Sequence, residues 1–157
     1  VSKARMSVMN NDTRGIFFGG GGDGSDANSI QYITMASTGN STDFGDVIQE
    51  GTYQAGVSGN NDRGISNGSY SPGSDVIQYI TISTTGNAQD FGDLTASKGG
   101  CAAVSNGNRG CFGGGVLSAG GSYINNIDYI DINAAGNATD FGDMTGTNGF
   151  FAGTSGD

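Results

Sequence analysis

The chain has 157 residues and a formal net charge of −9, with six Lys and Arg against fifteen Asp and Glu. A nucleic-acid backbone is gripped by clustered cations, and no such cluster is present. No stretch approaches the roughly 20 apolar residues that span a bilayer, and Val1 to Asp12 holds no apolar run of signal-peptide length, so neither nucleic acid nor a membrane is an expected partner.

Only 34% of residues are hydrophobic, while 31 are Gly and one is Pro. Scattered at random, that composition would describe a flexible chain. Here apolar and aromatic residues recur at matching positions, which points to a repeat fold with small residues where backbones crowd or turn. In chain order each unit supplies four short strand candidates, A to D. Strand A reads Arg5-Met6-Ser7-Val8-Met9, then Tyr53-Gln54-Ala55-Gly56-Val57, then Cys101-Ala102-Ala103-Val104-Ser105. Strand B follows a turn ending in Arg-Gly: Arg14-Gly15-Ile16-Phe17-Phe18-Gly19, Arg63-Gly64-Ile65, and Arg109-Gly110-Cys111-Phe112-Gly113. Strand C is Ile30-Gln31-Tyr32-Ile33-Thr34, Ile77-Gln78-Tyr79-Ile80-Thr81, and Ile127-Asp128-Tyr129-Ile130-Asp131. Strand D begins near Asp43-Phe44-Gly45-Asp46, Asp90-Phe91-Gly92-Asp93 and Asp140-Phe141-Gly142-Asp143.

The Tyr-to-Phe spacing is 12 residues in every unit, and successive Tyr residues lie 47 and 50 apart. The repeats therefore run over about 3–49, 50–97 and 98–146 of a single 1–157 domain, and 147–157 starts a fourth unit, with Phe150-Phe151-Ala152-Gly153 aligned to strand A. Four A strands against three sets of B, C and D, with no initiator Met, predict a segment of a longer array.

In strand C, Ile77 and Tyr79 point one way while Ile80 and Ile82 point the other, so both faces need cover. A sheet packed between two neighbouring sheets satisfies this, and strands A and B, built from Gly, Ala, Ser and Cys, suit the crowded centre of a β-propeller. Cys101 and Cys111 flank Asn106-Gly107, a two-residue hairpin signal. That turn sets Cys101 opposite Phe112 and Cys111 opposite Ala102, on different faces, which favours two buried thiols over a disulfide.

The double glycine after strand B (Gly19-Gly20, Gly113-Gly114), with aromatics in strand C and at the start of strand D, resembles the kelch or galactose-oxidase-like propeller repeat. Phe44, Phe91 and Phe141 stand where kelch repeats usually have Trp, and unit two has Ser66-Asn67-Gly68 in place of the double glycine. The run from Thr85 to Asp93 is similar to repeat arrays of marine tailed bacteriophages, including cyanophages. The resemblance implies an all-β, kelch-like β-propeller segment of about three four-stranded blades plus one strand, in an extracellular virion protein. A β-prism or β-trefoil, each closing with three repeats, is the alternative. The implied partners are other virion proteins, further copies of the chain, and host-surface glycans.

Several residues suggest chemistry but fit bracing better. Asp-Phe-Gly occurs three times without the Lys strand or catalytic loop of a kinase. Its Asp-x-Gly core resembles the Asp-box turn of sialidase-type propellers, so Gly39 through Gly45 reads as a braced C–D turn. The pairs Asp43/Asp46, Asp90/Asp93 and Asp140/Asp143 offer the hard oxygens calcium prefers, but no hand loop surrounds them, so the expectation is no metal and no cofactor. Arg14, Arg63 and Arg109 are expected to pair with a nearby Asp or carbonyl, and Tyr32, Tyr79, Tyr129 and the three Phe residues to frame the unit. Asn11, Asn40, Asn67 and Asn137 lie in glycosylation sequons.

There is no His, which removes the commonest general base, and Glu50 is the only Glu. A catalytic carboxylate pair should break the repeat, and no residue is seen to do so, so the chain is read as not an enzyme. Variation gathers instead between strands B and C: Gly15 to Ile30, Gly64 to Ile77 and Gly110 to Ile127 span 15, 13 and 17 residues. Asp23 and Asp26, Tyr70 with Pro72, and Leu117 with Tyr123 fall there, and Asp23, Asp26, Tyr70 and Tyr123 are the candidate ligand or partner contacts. The function expected is a structural or adhesive virion module, the alternative a secreted bacterial carbohydrate-binding or carbohydrate-processing propeller.

Overall fold

The computed structural model describes residues 6–19, 28–49, 57–69, 71, 73–118 and 121–153, and within them the fold is all-β. Three antiparallel four-stranded sheets follow one another along the chain, each a meander whose spatial order is its sequence order. Sheet one holds β1 (Ser7–Asn10), β2 (Arg14–Phe18), β3 (Ser29–Thr34) and β4 (Thr42–Asp46). Sheet two holds β5 (Val57–Gly59), β6 (Arg63–Ser69), β7 (Ser74–Thr81) and β8 (Gln89–Asp93). The link to sheet three forms β9 (Lys98–Gly99), which pairs with β12 (Val116–Leu117) in a small ribbon that the repeat does not announce. Sheet three itself is β10 (Ala102–Ser105), β11 (Arg109–Gly113), β13 (Asn126–Asp131) and β14 (Thr139–Asp143). No helix of the described residues is long and apolar enough to cross a membrane.

The turn after each inner strand is set by one asparagine. Asn11 Oδ1 accepts from the backbone N–H of Thr13 and Arg14 at 2.9 and 2.8 Å. Asn60 does the same for Asp62 and Arg63 at 2.9 and 2.7 Å, and Asn106 for Asn108 and Arg109 at 3.1 and 2.8 Å. An Asn side chain that replaces a backbone acceptor in this way holds a turn open. The expected two-residue hairpin at Asn106-Gly107 is accordingly wider, and Cys111 lies opposite Val104 rather than Ala102. A register shift of two keeps the parity, so Cys101 and Cys111 still face opposite sides, and both are free thiols.

The Asp-Phe-Gly-Asp segment is strand, as expected of the start of strand D, and the braced turn expected over 39–45 gives way to β4 from Thr42. Ile30 pairs with Gly45 but Gln31 with Asp43, which leaves Phe44 as a bulge, and the same step occurs at Phe91 and Phe141. A bulge in an outer strand twists it and re-aims one side chain. Strand β6 also runs on to Ser69 instead of stopping at Ile65, and the expected inner strand of unit two begins at Val57, residues 53–56 lying outside the described residues. The described part of the expected fourth inner strand, 150–153, carries no ladder; Gly153 lies against the Ala103 backbone of β10.

The core sits between sheets. Met9, Ile16, Phe18, Ile30, Phe44 and Val47 of the first unit pack against Ile80, Ile82 and Ala88 of the second. Ile65, Ile77, Phe91 and Leu94 of the second pack against Ala103, Phe112, Ile130 and Ile132 of the third. Sheet two is therefore covered on both faces, which is why its strand C lacks simple alternation. Each fully buried Ile or Phe contributes about 1.5–3 kcal/mol to holding its neighbour sheet.

Candidate functional site

The repeated residues converge on a seam between consecutive sheets. Within each unit the strand-C Tyr meets the strand-D Phe edge to face, at 5.9 Å for Tyr32–Phe44, Tyr79–Phe91 and Tyr129–Phe141 alike. An arginine lies over each Tyr ring: Arg14 at 4.7 Å, Arg63 at 5.0 Å and Arg109 at 4.7 Å. Arg14 Nη1 then donates across the seam to the Ile82 carbonyl at 2.8 Å, and Arg63 Nη1 to Ile132 at 2.9 Å. Planar, fixed donors over aromatic faces are what guanidinium offers and ammonium does not.

The C–D turns of units two and three each close the outer edge of the unit before. Gly86 and Ala88 donate their N–H groups to the Phe44 and Asp46 carbonyls, each at 2.8 Å, and Asn87 Oδ1 accepts from Asp46 N–H at 3.0 Å. Gly136 and Ala138 bond Phe91 and Asp93 at 2.7 Å, and Asn137 Oδ1 accepts from Asp93 N–H at 3.1 Å. Gly45 and Gly92 are required here. Their φ values are +149° and +146°, and a Cβ at either would strike the incoming carbonyl of Gly86 or Gly136. This bonding also satisfies an edge strand that would otherwise present open backbone groups. The sequon asparagines are placed accordingly: Asn67 is buried, Asn137 is bonded into the seam, and Asn40 is exposed.

Of the expected contact residues, Asp23, Asp26, Tyr70 and Pro72 lie outside the described residues. Tyr123 is 51% exposed and meets Phe150 edge to face at 6.3 Å, so an aromatic pair stands at the B–C end of the third unit. Phe150 holds a left-handed backbone, φ 59°, anchored by its N–H on the Gly100 carbonyl at 2.8 Å. The Asp pairs recruit no further ligands: among the described residues no three His, Cys, Asp or Glu gather as a metal site. Asp140 Oδ1 instead accepts from Gly142 N–H and Asn126 Nδ2 at 3.1 and 3.2 Å.

One buried cluster does break the repeat, against the expectation from sequence. Strand C has Gln31 and Gln78 where unit three has Asp128, and Asp128 is fully buried with Lys98. Lys98 Nζ lies 3.0 Å from Asp128 Oδ2 and donates to Asn126 Oδ1 at 2.6 Å, while Thr95 Oγ1 donates to Asp128 Oδ1 at 2.6 Å. Cys101 adjoins this network, and burial pushes its thiol up to about 11 from 9.0, partly countered by the Lys98 charge. Thr95 and Lys98 lie in the link that follows β8, so their bonds to Asp128 fasten that link to β13 of sheet three. Cys111 is also raised by burial, with Arg109 opposing.

At the opposite end from Tyr123, a polar cleft of about 630 Å³ opens among the inner A–B turns, lined by residues that include Asn11, Asp12, Asn60, Asp62, Arg63 and Ser105. Its walls are tied together by Asn11 Nδ2 on the Asn61 carbonyl (3.2 Å) and Ser105 Oγ on the Gly59 carbonyl (2.7 Å). No family model matches the chain, and neither does any curated protein.

Proposed function

We propose that this chain is a non-enzymatic structural and adhesive repeat module, a kelch-like β-propeller segment borne on a bacteriophage virion as part of a tail, fibre or capsid appendage. The observation that carries the reading is the seam. The residues that make the repeat recognisable, Arg14, Tyr32, Phe44 and their counterparts, hold one sheet to the next, which is the work of a scaffold. The virion setting rests on the resemblance of the Thr85–Asp93 run to tailed-phage arrays. Host-surface glycans are the proposed ligand, because the exposed Tyr123 and Phe150 rings offer apolar faces of the kind sugar rings stack on.

A secreted carbohydrate-binding propeller of bacterial origin is the second reading, favoured by the polar cleft among the A–B turns. Neighbouring genes separate the two: portal, capsid or tail genes beside the coding sequence support the virion, and sugar-uptake or hydrolase genes refute it. A glycan array reads the ligand. Binding that Tyr123→Ala abolishes supports the aromatic face, binding that survives it moves the contact to the cleft, and no binding removes adhesion and leaves scaffolding.

A further inference from the structure

The two ends of the stack carry the two halves of a seam. On sheet three Phe141 is 53% exposed where Phe44 and Phe91 are buried, and Ile127 and Met144 are half-buried where Ile30, Ile77, Val47 and Leu94 are covered. On sheet one Met35 is 56% exposed where Ile82 and Ile132 are buried, and the turn Gly39-Asn40-Ser41 is exposed where Gly86-Asn87-Ala88 is bonded onto an edge.

The receiving half is shaped in advance. Gly142 holds φ at +132°, in line with Gly45 and Gly92, yet a Cβ there would meet nothing within 4 Å. The bulge at Phe141, the Tyr129 ring and the Arg109 guanidinium, 5.8 Å from the Phe141 ring, complete the arrangement that elsewhere accepts a turn. The inner part of this face is already covered by residues up to Gly153, so what remains is the outer side, β13 and β14.

We propose that a second copy of this chain docks head to tail on that outer side. Its Gly39 and Ser41 N–H groups would meet the Phe141 and Asp143 carbonyls, its Asn40 Oδ1 the Asp143 N–H, and Arg109 its Met35 carbonyl. This deepens the repeat-module reading, since it rests on the same seam. The occupant is argued from continuity: each end complements the other, and the β14 edge does not complement itself. Two β14 edges brought together would set Asp140 and Asp143 of one copy against those of the other, and like charges facing across a ladder repel. A contact of this kind leaves one free half at each end, so it closes a ring or extends a filament.

Sedimentation over a concentration series tests the contact. The mass rises from 15.7 kDa to at least twice that value. Phe141→Asp and Met35→Asp, both at exposed positions, each sediment as monomers while keeping the parent β-sheet circular dichroism. Mixed in equal amounts they form a species of two chains and no larger, because the mixture contains one working edge and one working turn. Phe141→Ser and Met35→Ser replace them if an acidic variant loses that spectrum. Self-association of Met35→Asp alone would show edge-to-edge pairing and overturn the proposal, as would a wild-type chain that stays monomeric to its solubility limit. The second result would leave the repeat-module reading standing.

Discussion

The seam between sheets one and two and the seam between sheets two and three share their aromatic stack, their arginine and their docked turn, but they differ at one buried polar position. In the first, Gln78 presents a neutral amide whose Oε1 accepts the Ile48 N–H at 2.9 Å. In the second, Asp128 holds a charge, matched by Lys98 at 3.0 Å and by Thr95. A neutral amide with its partner costs little to bury, whereas two ions lose their hydration and recover it only through geometry. The difference teaches that the repeat specifies how sheets stack, while the ion pair fastens the linking strand β9 to β13 within the third unit.

Truncating one partner should sharpen this contrast most. Lys98→Met leaves an uncompensated charge at Asp128 and costs about 3–5 kcal/mol in chemical denaturation, whereas Lys98→Met with Asp128→Leu recovers most of that loss. In the first seam, Gln78→Leu strips one acceptor from the Ile48 N–H and costs about 1–3 kcal/mol. Equal costs for the two single variants would erase the distinction between the seams.

An effect of similar size to that of Gln78→Leu comes from the thiol beside the pair. Cys101 is raised by burial to about 11, so between pH 9 and 11 the folded chain retains a proton that the unfolded chain has lost. The contribution is complete below pH 9 and disappears as pH rises toward 11, which lowers stability over that window by roughly 2–3 kcal/mol. Urea midpoints measured across the window should fall in the parent and fall less in Cys101→Ala. Parallel slopes for the two would show that the thiol titrates normally.

The sequence made the strands legible because the Tyr-to-Phe spacing never varies and because Ile77 and Ile80 cannot both be buried in a sheet with one wet face. It also carried the turn asparagines, in Asn-x-x-Arg at Asn11, Asn60 and Asn106, though the more conspicuous Arg-Gly pair masks them. What it hid was partnership between distant residues. Nothing local says that Asn87 serves the strand at Asp46, since the bond joins residues 41 apart in the chain. Asp128 was visible as a departure from Gln31 and Gln78, but a lone Lys98 in a different segment gave no reason to join them. The sequence assigns Asp43-Phe44-Gly45 both to the start of strand D and to the turn before it, because Asp and Gly are turn residues; in the fold the glycine serves a bulged strand on which another turn rests.

The smallest predicted effect concerns the arginines, where the two seams are alike and the open end is the exception. Arg14 and Arg63 each cover a Tyr ring and donate to a carbonyl on the next sheet, so Arg14→Lys and Arg63→Lys should each cost about 1 kcal/mol and by similar amounts. Lysine keeps the charge but loses the planar donor that reaches Ile82 or Ile132. Arg109 covers Tyr129 at a comparable 4.7 Å, yet the sheet that its counterparts bond is not part of this stack. Arg109→Lys should therefore cost less than either, about 0.5 kcal/mol or below, and shift the melting midpoint least. If all three cost the same, the arginine acts within its own unit, on Tyr alone. If Arg109→Lys spares the monomer but weakens self-association, the guanidinium acts across the seam, and the end of sheet three uses it as the interior does.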